Sequence, residues 1–208
     1  MQFVGITGNM GSGKTTSAAL LKELGAIVLS ADVFARKVVE PGENAYKEIV
    51  AHFGREILRN DRSINRKRLA DIVFDDRKQL IRLNEITHSR VRQLRDSHLK
   101  VIYRQKPESL VVFEVPLLFE NNLQHQFQKV IVVRIDESVQ LTRLLVTRRF
   151  SERAVKLRLE NQMNQKEKVS RADYVVDNSG LLEDLKEQLV RIHSELLHLP
   201  QLPLAEIL

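Results

Sequence analysis

Hydrophobic residues along this chain fall into two rhythms, and each predicts its own kind of element. Five short apolar runs, QFVGIT at Gln2 to Thr7, AIVL at Ala26 to Leu29, LVVF at Leu110 to Phe113, VIVV at Val130 to Val133 and YVV at Tyr174 to Val176, are continuous rather than alternating. Continuous β-branched runs belong to strands covered on both faces, as in a parallel sheet between layers of helices. Between the runs, apolar positions recur at helical spacing, as in Ala18, Leu21 and Leu24 before Gly25 closes the helix that starts at Lys14. The alternation predicts an α/β fold with a five-stranded parallel sheet flanked by helices.

One segment interrupts that alternation. From Ala45 through Tyr103 the periodicity is helical with no convincing strand, and it breaks near Gly54 to Ser63 and at Asp75-Asp76. The expectation is a helical subdomain inserted at about residues 40–105, able to cover a second substrate, within a single domain of 208 residues. The closing LPQLPLAEIL, with two prolines, predicts a loose tail.

The chemistry begins between the first strand and the first helix. Gly8-Asn9-Met10-Gly11-Ser12-Gly13-Lys14-Thr15 matches the phosphate-loop pattern G-x-x-x-x-G-K-[ST] in the strand–loop–helix setting that its mechanism requires. Glycines let successive N–H groups converge on a β-phosphate at a helix N-terminus, where the dipole favours negative charge. Lys14 then bridges the β- and γ-phosphates, Thr16 continues the site, and the Thr15 hydroxyl ligates Mg²⁺. The loop alone does not separate a kinase from a GTPase or a motor. No N/T-K-x-D guanine motif is present, and the chain is short for a motor.

Asp32 stands just past the second strand, beside the phosphate-loop strand in such folds. A carboxylate there can take or orient the proton of an acceptor hydroxyl in a phosphoryl transfer. It is equally placed to cap the helix VFARKVV, and the two roles are compatible.

Composition narrows the setting. The chain has no cysteine, which removes disulfides, thiolate metal sites and thiol nucleophiles and suits a reducing, cytoplasmic compartment. No apolar run approaches the roughly 18 residues of a membrane span, so no membrane partner is expected. The net charge of +6 is concentrated: nine Lys/Arg between Arg143 and Arg171 face only Glu152, Glu160 and Glu167. Beside a phosphate loop, such a basic lid at about residues 143–171 suits polyanionic small molecules, with Arg143 and Arg148 neutralising charge on the transferred phosphoryl group. With 5% aromatic residues and no Trp, stacking platforms for nucleic acid are scarce, and none is expected as a partner.

In order, GITGNMGSGKTT, LGAIVLSADVFARKVVEPG, HFGREIL, INRKRLADIVF, LNEITHSRVR, VFEVPLLFE, Gln140 with Arg143, and ADYVVDNSG make up a set that resembles the dephospho-CoA kinase family over about residues 1–198. The resemblance implies a P-loop kinase-like fold with a CoA-type helical subdomain and a lid, ATP as co-substrate with Mg²⁺, and dephospho-CoA as acceptor. It implies Asp32 as base toward the ribose 3′-hydroxyl, and Arg143 and Arg148 as lid arginines. Asn178 falls in the loop near adenine. Arg68, Asn84 and His88 fall in helices that cover the acceptor, and Pro116, Leu117, Leu118 and Glu120 in a loop on the acceptor side. A lone helical histidine such as His88 is also an ordinary structural hydrogen-bonder. Two positions depart from the family pattern: Ser30 replaces the first acid of D-A-D, and Ser89 the proline of T-H-P. On the residues alone, a nucleoside or nucleoside-monophosphate kinase, or a nucleic-acid-binding P-loop protein, stays open.

Overall fold

The structure is a computed structural model; it describes residues 1–147 and 151–208, without the side chains of residues 74, 75, 147 and 154. The chain divides into two compact units, residues 1–30 with 102–208, and residues 31–101.

The first unit is built on β1 (Gln2–Thr7), β2 (Ile27–Ser30), β3 (Leu110–Glu114), β4 (Lys129–Arg134) and β5 (Tyr174–Asp177). Among the described residues they form one five-stranded sheet in the order β2-β3-β1-β4-β5, with every pairing parallel. All five runs expected from hydrophobic patterning are strands, displaced by a residue at some ends.

Alternate β1 residues serve opposite faces of the sheet. On one face, Val4 and Ile6 join Val112, Ile131, Val133 and Val176 beneath α1 (Lys14–Glu23) and α9 (Leu182–Leu197), which contribute Leu21, Leu185, Leu189 and Leu196. On the other, Phe3 packs against Phe113 and Phe127, with ring centroids 6.3 and 5.0 Å away.

The second unit holds α2 (Ala31–Lys37), α3 (Asn44–Phe53), α4 (Arg66–Asp75) and most of α5 (Arg77–Gln105). Its core is Val38, Ala45, Ile49, Phe53, Ile57, Ile64, Leu69, Val73 and Ile86. The sequence breaks fall where expected. Residues 54–64 hold a 3₁₀ turn (Arg55–Ile57) and a bridge between Leu58 and Ile64, and α4 gives way to α5 across Asp76.

In the first unit, α6 (Glu137–Thr142) runs into a π-helical turn at Arg143–Thr147, followed by α7 (Glu152–Glu160) and α8 (Gln165–Ser170). The chain ends in the short α10 (Leu204–Ile207).

The expected loose tail is instead tied down. The Gln2 amide is buried at the start of β1 and donates to the carbonyls of Leu197 and Leu199 at 3.3 and 3.1 Å. Gln128 donates to the Pro200 carbonyl at 2.9 Å, the Leu202 N–H donates to the Met1 carbonyl at 3.1 Å, and Ile207 is buried. Buried polar groups at the amino end of the central strand need partners, and the proline-punctuated segment supplies its carbonyls to them.

Candidate active site

At the carboxyl end of β1 the chain enters residues 8–13 and leaves them as α1, so the N-terminal N–H groups of that helix open onto the loop. Gly13 caps α1 in the left-handed region, at φ 93°, and a Cβ there would lie 2.0 Å from the Asn178 amide nitrogen. Gly11 has φ 82°, and its open side is filled by Leu144, which a Cβ would crowd at 3.1 Å. Both positions therefore need glycine for backbone conformation and for the close approach of another element.

The loop is curled on itself. The Asn9 carbonyl accepts the Ser12 N–H at 3.1 Å and the Lys14 ammonium at 3.0 Å, and Ser12 is wholly buried. Below it, Asn178 donates from Nδ2 to the Ser12 carbonyl at 2.7 Å. That places the asparagine under the loop as a prop. Its own turn is fixed by Asp177, which accepts from the Ser179 hydroxyl at 2.6 Å and pairs with Arg134 at 2.7 Å. Burial pushes the Asp177 carboxyl up, but the bonds from Ser179 and the Arg134 charge outweigh it and hold the group below its usual range.

Gly13, Lys14, Thr15, Thr16, Arg143 and Asn178 share one concavity of about 410 Å³. Arg143 comes from the π-helical turn, a distortion that often marks functional positions. Gly8 begins the same loop at φ 153°. Arg148 lies outside the described residues.

Thr15 introduces a residue that reading the sequence missed. Its hydroxyl donates to the Glu114 carboxylate at 2.8 Å. Glu114 ends β3, is buried, and is the register partner of Ser30 on β2, the position where the family pattern has an acid. A hydroxyl beside a carboxylate is an all-oxygen donor pair of the kind Mg²⁺ takes together with substrate phosphates and water. The signal was available: LVVFE places a carboxylate at the carboxyl end of the strand next to the phosphate-loop strand.

After β3, the Pro116 carbonyl accepts the Thr7 hydroxyl at 3.2 Å, Leu117 is exposed, and Leu118 is wholly buried, against the face of Gly5. Glu120 turns inward. Its Oε1 accepts the Met163 N–H at 2.9 Å and pairs at 2.8 Å with Lys168, a lysine with no exposed surface. One of the nine basic residues of the 143–171 segment is therefore an internal strut rather than surface charge.

In the second unit, Asp32 lies in the first turn of α2, which starts at Ala31 directly after β2, so it stands inside that helix and is not its cap. Its charge still suits that end of the helix. Arg68 donates to the Glu56 carbonyl at 2.9 Å, linking α4 to the preceding 3₁₀ turn. His88 lies on α5 with Asn84 and Arg92 along a concave surface of about 620 Å³. Desolvation, and then the positive charge of Arg92, hold its imidazole below the usual histidine value.

A parallel sheet, a glycine loop opening onto a helix N-terminus, and an arginine facing the same concavity define a P-loop phosphotransferase. Comparison with known proteins narrows the class. The family model for dephospho-CoA kinase matches residues 2–184. The dephospho-CoA kinase of Oceanobacillus iheyensis is 42% identical over 186 residues, 89% of this chain and 93% of that protein. Among solved structures, a Thermus thermophilus protein superposes with a TM-score of 0.82 at 34% identity, covering 93% of this chain and 97% of that one. The dephospho-CoA kinase from Campylobacter jejuni gives 0.69 at 26% identity, covering 94% and 97%. The chain belongs to the dephospho-CoA kinase family, as the ordered motifs from GITGNMGSGKTT to ADYVVDNSG led one to expect. It is thus an ATP-dependent kinase, and among the described residues no helix is long and apolar enough to cross a membrane.

Proposed function

We propose that this chain transfers the γ-phosphoryl group of ATP to the ribose 3′-hydroxyl of dephospho-CoA, releasing CoA and ADP. The observation that carries the reading is the single concavity where Lys14, Thr15, Thr16 and Arg143 meet the N-terminus of α1, within a chain of this family.

In this reading the loop N–H groups and Lys14 hold the β- and γ-phosphates. The Thr15 hydroxyl and Glu114 carboxylate would hold Mg²⁺, which when bound neutralises charge on the phosphate oxygens. Asp32 takes the proton of the 3′-hydroxyl as its oxygen bonds to the γ-phosphorus, and the bond to the β–γ bridging oxygen breaks, leaving ADP. Arg143, with Arg148, stabilises charge on the equatorial oxygens. Asn178 supports the loop from below. Arg68, His88, Pro116 and Leu117 are read as acceptor-binding residues on the family pattern. The cysteine-free composition suits a cytoplasmic setting.

An acceptor panel tests the proposal. ADP release should depend on dephospho-CoA and fall to background with AMP, CMP or nucleosides. Turnover with a nucleoside monophosphate and none with dephospho-CoA would assign the chain a different acceptor.

A further inference from the structure

Residues 143–161, the first part of the basic segment expected to form a lid at about 143–171, are flanked by two roots, and both end on one residue of the phosphate loop. Before the segment, the buried Gln140 of α6 donates from Nε2 to the Met10 carbonyl at 2.6 Å. After it, the side chain of Gln162 accepts the Met10 N–H at 2.9 Å. Both backbone polar groups of Met10 are thus held by side-chain amides, one acting as donor and the other as acceptor.

Neighbouring bonds secure each root. The next residue, Met163, receives the Asn9 amide on its carbonyl at 3.3 Å, while its own N–H is held by Glu120 at 2.9 Å. On the other side, Leu144 fills the open face of Gly11, one residue after Arg143.

We propose that Gln140 and Gln162 are positioning residues that fix the crest of the phosphate loop and lock both roots of the 143–161 segment to it. The loop's N–H groups can converge on a phosphate only if the crest holds its curl, and Met10 lies midway between Gly8 and Ser12. Gln140 also precedes Arg143 by three residues, so one helical face registers the loop with the guanidinium that shares its concavity. The consequence is reciprocal: a nucleotide that tightens the loop tightens the roots of the lid, and loosening the roots weakens nucleotide binding. This rests on the reading of the loop as the ATP site.

Gln140→Met and Gln162→Met, alone and together, remove each bond with little change of shape. Each should raise the KM for ATP and the Kd for ADP by about fivefold, the worth of one net hydrogen bond, and leave the acceptor KM unchanged. The double variant should fall short of the product of the singles, because both act through Met10. In the protein without nucleotide, the Met10 amide should be protected from hydrogen exchange in the parent chain and exchange faster in Gln162→Met. That last readout needs no ATP, so it separates failure of the clamp from failure of the ATP reading. Unchanged nucleotide affinity, or a parallel rise in both KM values with a fall in Tm, would overturn the proposal, as would a Met10 amide equally protected in the variant.

Discussion

The Thr15 hydroxyl and the Glu114 carboxylate meet at 2.8 Å, joining the first turn of α1 to the carboxyl end of β3. A threonine at a helix start has no need of a buried carboxylate for its own sake, whereas a hydroxyl and a carboxylate side by side suit a divalent cation shared with phosphates. Glu114→Gln keeps an oxygen acceptor and removes the charge. A Mg²⁺ titration of ADP release should shift to higher concentration by about 10- to 100-fold, the range seen when groups supporting a metal are altered. An unchanged Mg²⁺ dependence would leave Glu114 only the role of orienting Thr15.

Asp32 sits one residue inside α2, which permits a clean separation of roles. If its carboxylate serves only the helix dipole, Asp32→Asn costs about 0.3–1 kcal/mol of stability and little activity. As the base toward the acceptor hydroxyl, its loss should lower turnover by at least about 100-fold with ATP affinity retained. Steady-state rates with ATP titration distinguish the two, and near-normal turnover would remove Asp32 from the chemistry.

Glu120 and Lys168 form an inward ion pair in which the lysine has no exposed surface. Glu120→Ala strands a buried ammonium and should cost about 3–5 kcal/mol, whereas Lys168→Met replaces it with an apolar chain of similar length and should cost less. Urea unfolding of the two variants measures the order. Equal, small losses would mean that water reaches the lysine readily.

Two histidines set an acid limit on stability. Desolvation first, and the charge of Arg92 second, disfavour the imidazolium of His88, and desolvation does the same to His193 on α9. Both folded values lie below the ordinary 6.5, so below that pH the unfolded chain takes up protons that the folded chain resists. Their contribution is complete above the unfolded value and is lost as the pH falls from there through the folded values. Unfolding free energy should fall from about pH 7 to about pH 5, and His88→Gln with His193→Gln should flatten that decline. A slope unchanged in the double variant would contradict the assignment.

The sheet was legible because its strands are buried on both faces and their composition is therefore uniform, as in VIVV and LVVF. The phosphate loop was legible because glycine positions and the lysine–threonine pair are set by backbone geometry at short range. The contacts of Gln140 and Gln162 with Met10 were not, since each spans more than 100 residues of chain and no local pattern marks an amide that will find a backbone partner. Lys168 was counted with the basic lid for the same reason: its partner Glu120 is 48 residues earlier in sequence. The tail departed from its proline-rich composition because the buried amide of Gln2, at the amino end of the central strand, needed carbonyls.

The central claim concerns where the phosphate goes. Incubating the chain with ATP, Mg²⁺ and dephospho-CoA and following the products by ³¹P NMR should show one new phosphomonoester, on the ribose 3′-oxygen, growing in step with ADP. ADP formed without acceptor, or a phosphoryl group on any other oxygen, would contradict it.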